Sequence, residues 1–434
     1  MEIVKNDKSI IRAWTFYDWA NSVFPLVITS AIFPNYYEYI TSHDANKNNI
    51  GDVVSFFGMS VHNTTIYSYI YAFALFIVVL IVPILSGVAD YLGNKKKFLQ
   101  FFCYLGSASC MSLFFFSREH LELSFVSFIF ATIGFWGSLV YYNSYLPEIA
   151  SDDKQDKVSA RGFAMGYFGS SLLLILCLIM IIVFKIPAKY SFLLVGAWWI
   201  GFAQITFSKL PGVVGGHSKE NNVNIFTRGF SELKMVFYQA MRQRKLKRFL
   251  YSYFFYNMGV QTVMVMAVLF ARKEVIWPDE QTKTNSLIVS ILLIQFLGIA
   301  GSFVFSGISA KTNSISSLAI AIAIWIFICM FTFFTVRLPM HFYIVAVLVG
   351  FVMGGIQALS RSTYSKLLPA TQDNASYFSF YDVIEKLGMI IGTLSFGIIA
   401  ELTGGMRNSV LALILWFIIG FVLLLRVNHK SASG

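Results

Sequence analysis

In the run FYDVIEKLG, residues 380–388, two carboxylates and an ammonium interrupt an apolar stretch. Asp382 and Lys386 stand four apart with the acid N-terminal, a spacing that puts both on one helical face, where they can neutralise each other. Glu385 points about 100° away from Lys386 on the same helix and is expected to pair with the opposite half of the molecule. An ammonium inside a membrane suits a substrate carboxylate, and a carboxylate there suits an amine or a proton, so these three are candidate binding or coupling groups. The competing reading is an ion pair that only holds helices together. A second polar cluster opens the first apolar run: FYDWANSVFP, residues 16–25, carries Asp18, Asn21 and Ser22. It reads as the polar side of a cytoplasmic gate or, alternatively, as a capped helix start, since Asp and Asn favour first turns. Asn143, Asn257, Gln261, Gln357 and Ser360 add hydrogen-bonding groups that either line a cavity or join helices.

Little here could run enzyme chemistry. The six histidines (43, 62, 120, 217, 341 and 429) fall in or beside connecting segments, which leaves no cluster for metal binding or general-base work. Cys103, Cys110, Cys177 and Cys329 lie in apolar runs without CxxC spacing, which argues against a zinc site or a disulfide framework and for small hydrophobes in a core. No metal, no cofactor and no catalytic residue is expected.

The frame that must position these groups is a membrane protein. Of 434 residues, 57% are hydrophobic and 13% charged, with a mean hydropathy of +0.67, against about a quarter charged in soluble domains. The opening MEIVKNDKSIIRAW is polar and basic, so the first apolar run reads as a retained span rather than a cleavable leader. A spanning helix needs roughly 20 apolar residues. On that template twelve spans fall near 14–38, 65–88, 98–117, 121–146, 162–184, 188–208, 249–271, 285–308, 315–336, 341–364, 376–400 and 408–426. At 1.5 Å per residue Asp18 lies about 6 Å into its span and Lys386 about 15 Å, near the midplane. With both termini cytoplasmic, 23 lysines and arginines fall on the inner side and 9 on the outer, with Lys386 in a span. That asymmetry sets the orientation and accounts for most of the +11 net charge without a nucleic-acid partner.

The expected organisation is an N-terminal six-helix bundle over 1–208, a cytoplasmic linker over 209–248 and a C-terminal six-helix bundle over 249–434. The linker begins with PGVVGG and continues as NIFTRGFSELKMVFYQAMRQRKLKR. Its Phe226, Phe230, Leu233, Phe237 and Met241 share one face, as in a helix lying on an anionic leaflet, with a calmodulin-target helix as the alternative. Three pairs of segments echo each other in order: YDWANS (17–22) with YNMGVQT (256–262), SGVADYLGNKKK (86–97) with SGISAKTN (306–313), and SYLPEIASDD (144–153) with SKLLPATQDN (365–374). They argue for duplicated halves around a central cavity.

Gly87, Asp90, Gly93, Lys95, Lys96 and Lys97 in GVADYLGNKKK resemble the loop between the second and third helices of the major facilitator superfamily. The resemblance implies an all-α, twelve-helix fold of two pseudo-symmetric bundles and alternating-access transport, with these residues as a gate. The two glycines are expected to allow a tight turn, and the acid to pair across a seam. YDWANSVF, YYNSYLPEIAS with VSARGFAMGYFGS, YNMGVQT, GGIQALSRSTYSKLLP and FYDVIEKLG resemble one branch, the vacuolar amino-acid effluxer-like family tied to autophagy in fungi and present in many bacteria. Glu148 and Arg161, in two of these segments, join the expected gate. The family carries an acid where this sequence has Met258. Transport of an amino acid or related zwitterion is implied, with a proton or sodium as coupling ion, by a monomer in a bacterial inner membrane. The alternatives are export of another metabolite or drug-like compound, a receptor or scaffold, and a membrane enzyme.

Overall fold

The computed structural model describes residues 4–43, 51–212 and 225–427. His217, His429 and most of the Gly-rich start of the linker lie outside the described residues, as does the side chain of Phe226.

Helix α1 (Lys8–Asn21) starts ten residues before Asp18, where the Asp7 carboxylate accepts from the backbone N–H groups of Ser9 and Ile10. Asp18 is therefore not a helix cap. The first span is not one regular helix over 14–38, because Pro25 and Pro34 each remove a backbone donor. The chain passes from α1 through a π-helical segment, Phe24–Ile32, into α2 (Phe33–Ser42). Thr29 and Ser30 hydroxyls donate to the Pro25 carbonyl at 2.7 and 2.8 Å, satisfying an acceptor that a regular helix would not leave open.

A β-hairpin follows, β1 (Val53–Phe56) against β2 (Met59–His62). Phe57 and Gly58 both have positive φ, as a type I′ turn requires. Periodicity tuned to 20-residue spans passes over strands this short.

Among the described residues eleven further helices are long and apolar enough to span. These are α3 (Asn63–Leu92), α4 (Lys95–Ser112, with a short 3-10 turn after it), α5 (Leu121–Asn143, continuing through the short α6, Leu146–Ile149), α7 (Asp152–Ile182) and α8 (Tyr190–Lys209). After the linker helix α9 (Ile225–Arg242) come α10 (Arg244–Glu274), α11 (Glu280–Lys311), α12 (Ser314–Thr335), α13 (Pro339–Leu367), α14 (Asn374–Thr403) and α15 (Met406–Leu425). With the broken first span the count is twelve.

The chain forms two compact units. Their limits differ from the expected 1–208, 209–248 and 249–434 in two respects: the linker is divided between the units after Leu233, and Leu146–Ala164 belongs with Lys234–Gly434, although the chain on either side of it belongs with the first unit. Inside each unit the helices approach through glycine, as expected where lipid offers no hydrophobic drive and close backbone contact must do the work. In the first unit a Cβ on Gly134 would sit 2.3 Å from Gly106 Cα, and one on Gly166 2.4 Å from the Ser22 hydroxyl. In the second, a Cβ on Gly354 would sit 2.0 Å from the Gly298 carbonyl oxygen.

Candidate functional site

In the second unit, α14 carries Asp382, Glu385 and Lys386 against α10. Gly392 makes the approach possible, since a Cβ there would meet the Thr262 hydroxyl at 2.2 Å and the Met258 carbonyl at 3.0 Å. Met258, where the resembled family carries an acid, is itself buried against α14 and makes a packing contact. The Lys386 ammonium, 0% exposed, is bonded to Asp382 Oδ1. Glu385 does not need an opposite half for its partner: Gln261 Nε2 of α10 donates to its Oε1 at 2.8 Å. Gln261 also lies 3.4 Å from Asn257 Oδ1, while the Asn257 Nδ2, buried, has no partner among the described residues. Two carboxylates and one ammonium thus share a small volume between α10 and α14.

Hydroxyl and aromatic groups extend this cluster. Tyr256 of α10 and Ser360 of α13 are bonded at 2.8 Å. Tyr253 and Tyr381 stack at 4.3 Å between centroids, with Tyr364 4.9 Å from Tyr381. Gln357, partly exposed, reaches Met264 Sδ at 3.7 Å.

In the first unit Asp18 and Asn21 are buried, at 5% and 1% exposure. Tyr142 of α5 donates to Asp18 Oδ2 at 2.7 Å, and Trp14, stacked on Tyr142, donates to its carbonyl. Asp18 therefore ties the first span of this unit to its fourth, as the Tyr256–Ser360 bond ties first to fourth in the other. Asn21 Nδ2 is unpartnered among the described residues, as Asn257 Nδ2 is. Asn143 ends α5 and is partly buried.

The residues expected to gate divide by role. Gly93 has φ +63° and caps α3, with its N–H on the Asp90 carbonyl and the Asn94 N–H on that of Ala89; only glycine adopts this conformation without strain. Gly87 makes no turn. It lies within α3, where a Cβ would sit 2.2 Å from the Gly229 carbonyl of α9. Lys95 reaches the Ser144 carbonyl and lies over the Tyr145 ring, and Lys96 donates to the Leu210 carbonyl at 2.9 Å, both lysines serving chain ends that lack helical partners. Lys97 and Arg161 are exposed.

Leu146–Ala164 is fastened to the second unit by polar contacts. Glu148 Oε1 accepts from Asn374 Nδ2 at 2.8 Å. Asp156 Oδ2 meets Lys366 Nζ at 2.7 Å and accepts from the Ser309 and Ser314 hydroxyls at 2.5 and 2.8 Å. Arg361, 3% exposed, donates through Nε to the Ser159 hydroxyl and through Nη2 to the Ser159 carbonyl, with Phe163 4.2 Å from its guanidinium.

A model of the family described as "Vacuole effluxer Atg22 like" matches residues 6–433. The chain belongs to the Atg22-like family. An uncharacterized MFS-type transporter, YxiO of Bacillus subtilis, is 31% identical over 97% of this chain and 95% of its own. Autophagy-related protein 22 of Yarrowia lipolytica is 23% identical over 92% of this chain and 81% of its own. Among solved structures, the Escherichia coli fucose:proton symporter FucP superposes with a TM-score of 0.69 at 15% identity, covering 97% of this chain and 98% of its own. The human organic anion transporter MFSD10 (TETRAN) gives 0.71 at 14%, covering 97% and 100%. The fold is that of the major facilitator superfamily, and this Atg22-like chain is a multi-pass membrane transporter, not an enzyme.

Arg361 and Asp156 of the Atg22-like chain do not stand out in the motifs. Arg361 falls among the inner-side charges, although it precedes STYSK in GGIQALSRSTYSKLLP, three residues inside the expected span end. A cation inside a span edge is the signal that could have singled it out. Asp156 lies in the polar run SDDKQDK and carries no such mark.

Proposed function

We propose that the chain moves a small zwitterion, an amino acid or a relative of one, by alternating access, with the α10–α14 cluster as its binding site. The observation that carries this is the buried Lys386 with two carboxylates beside it. A zwitterion presents a carboxylate to the ammonium and an ammonium to the acids, and the Asn257 and Gln261 amides supply neutral hydrogen bonds. A proton on Glu385 balances the cluster when the site is empty, which makes the proton the coupling ion of this reading. Screening amino acids and related solutes for thermal stabilisation of the purified monomer tests it. A ligand at a hundredfold its Kd adds about 2.7 kcal/mol, and that gain should vanish in Lys386→Met. If only solutes without an ionised carboxylate stabilise the protein, the zwitterion reading is wrong.

The proposed setting is a bacterial inner membrane with both termini in the cytoplasm, on the charge asymmetry of the connections. In that orientation Gly87, Asp90, Gly93, Lys95–Lys97, Glu148 and Arg161 all belong to the cytoplasmic end and serve its gate. The four native cysteines are buried, so single introduced cysteines report sidedness. Thr312→Cys, between α11 and α12, should label only from the cytoplasmic face. Phe57→Cys, at the hairpin turn and 73% exposed, should label only from outside. Reversed labelling would invert the gate assignment.

A further inference from the structure

Helix α9 is held by its small residues. Val236 and Ala240 are buried, while Met235, Phe237 and Tyr238 are 43%, 43% and 56% exposed. Phe237 touches Phe380 along one edge, and Tyr377 reaches Gln239 at 3.1 Å, which fixes the helix without covering its aromatic side. Immediately after it the chain turns into α10, a membrane-spanning helix that opens at Arg244.

Arg242, Arg244, Lys245 and Lys247 cluster at this junction, all exposed. None has an acidic partner among the described residues, and the first turn of α10 contains no acid. Like charges crowded at the start of a helix repel each other and oppose its dipole, so the arrangement is unfavourable until anions arrive. Its position at the end of a span puts the cluster at headgroup depth, and the neighbouring rings are amphipathic groups of the kind that settle there.

We propose that the α9–α10 junction is a docking surface for an anionic lipid leaflet, with Phe237 and Tyr238 entering the interface and the four cations binding lipid phosphates. Free phosphate would satisfy the cations but leave the rings in water, so the lipid is the occupant that uses both features. Each basic group near an anionic surface contributes about a fivefold preference, and the contribution should fade with salt.

The test uses the full chain with Tyr238→Cys, labelled with an environment-sensitive fluorophore, in nanodiscs of phosphatidylcholine alone or mixed equally with phosphatidylglycerol. The expected result is a blue-shifted probe, better protected from acrylamide, in the phosphatidylglycerol discs only, reverting in high salt. Replacing Arg242, Arg244, Lys245 and Lys247 together by Gln should abolish the difference and lower phosphatidylglycerol retention on purification by at least about tenfold, a bound set by the per-residue preference. Replacing Arg242 and Arg244 by Lys, which keeps the charge, should preserve it. Equal shielding in both kinds of disc overturns the proposal, as does full selectivity in the Gln variant. Loss in the Lys variant also counts against it, since charge would then not be what binds.

Discussion

Lys386→Met should abolish uptake of whichever solute the stability screen identifies, while the protein still inserts and purifies. Removing a buried cation lowers the cost of placing α14 in the bilayer, so failed insertion is not the expected outcome. Losing a buried charge contact to substrate costs about 3 kcal/mol, or about a hundredfold in apparent affinity. The single change is ambiguous, however, because it also strips Asp382 of the ammonium that is bonded to it. A lone buried acid tends to take up a proton, and the rearranged pocket would fail for that reason too. Combining Lys386→Met with Asp382→Leu resolves the two readings. A structural ion pair tolerates joint replacement by apolar residues of similar volume, whereas a binding site does not. Near-normal uptake by the double variant would assign the pair to packing and shift the binding role to Asn257, Gln261 and Glu385. Glu385→Gln then probes the coupling step: it keeps the Gln261 contact within reach of a neutral group, and in the proton-coupled reading the uptake that remains no longer follows a pH gradient.

The helices were legible because spanning a bilayer imposes one length and one polarity on each of them. The exceptions have local causes. Pro25 and Pro34 break the first span without changing its hydropathy, so a window of apolar residues could not register the π-helical segment. For the hairpin at 53–62, Phe57 and Gly58 carry the positive φ values of the turn, but a Phe in that position gives no sequence signal for it. In the candidate site, the Asp382–Lys386 pair followed from helical spacing alone. The Gln261–Glu385 contact did not, because residues 124 apart meet only once α10 and α14 are packed through Gly392. Asp18 is a second case: its position at the start of an apolar run gave no sign that its carboxylate accepts from Tyr142, more than a hundred residues away.

The second large effect is expected at Asp156. The segment Leu146–Ala164 is covalently part of the run from α5 to α7, helices whose spans belong to the first unit, and its polar side chains are bonded within the second. Any motion that separates the adjoining ends of α11, α12 and α13 from this segment must break the Asp156–Lys366 pair together with the Ser309 and Ser314 bonds. Asp156→Ala removes all three at once and leaves Lys366 with only the Ser314 hydroxyl. Removing one partner of a fully buried pair costs 3–5 kcal/mol; here the side chains are 10% and 21% exposed, so about 2 kcal/mol is a fair discount. Local opening should then become about 30-fold more frequent. Hydrogen exchange on the full-length protein reads this directly: amides of 152–164 should exchange about 30-fold faster, while those in the middle of α11 and α13 keep their wild-type rates. Lys366→Ala should produce a smaller acceleration, because Asp156 retains two hydroxyl donors. The double variant should exchange no faster than Asp156→Ala alone, since the two changes remove one shared contact. Additive acceleration would mean that the two residues act separately, and the segment would then owe its attachment to Arg361 and Glu148 rather than to this ion pair.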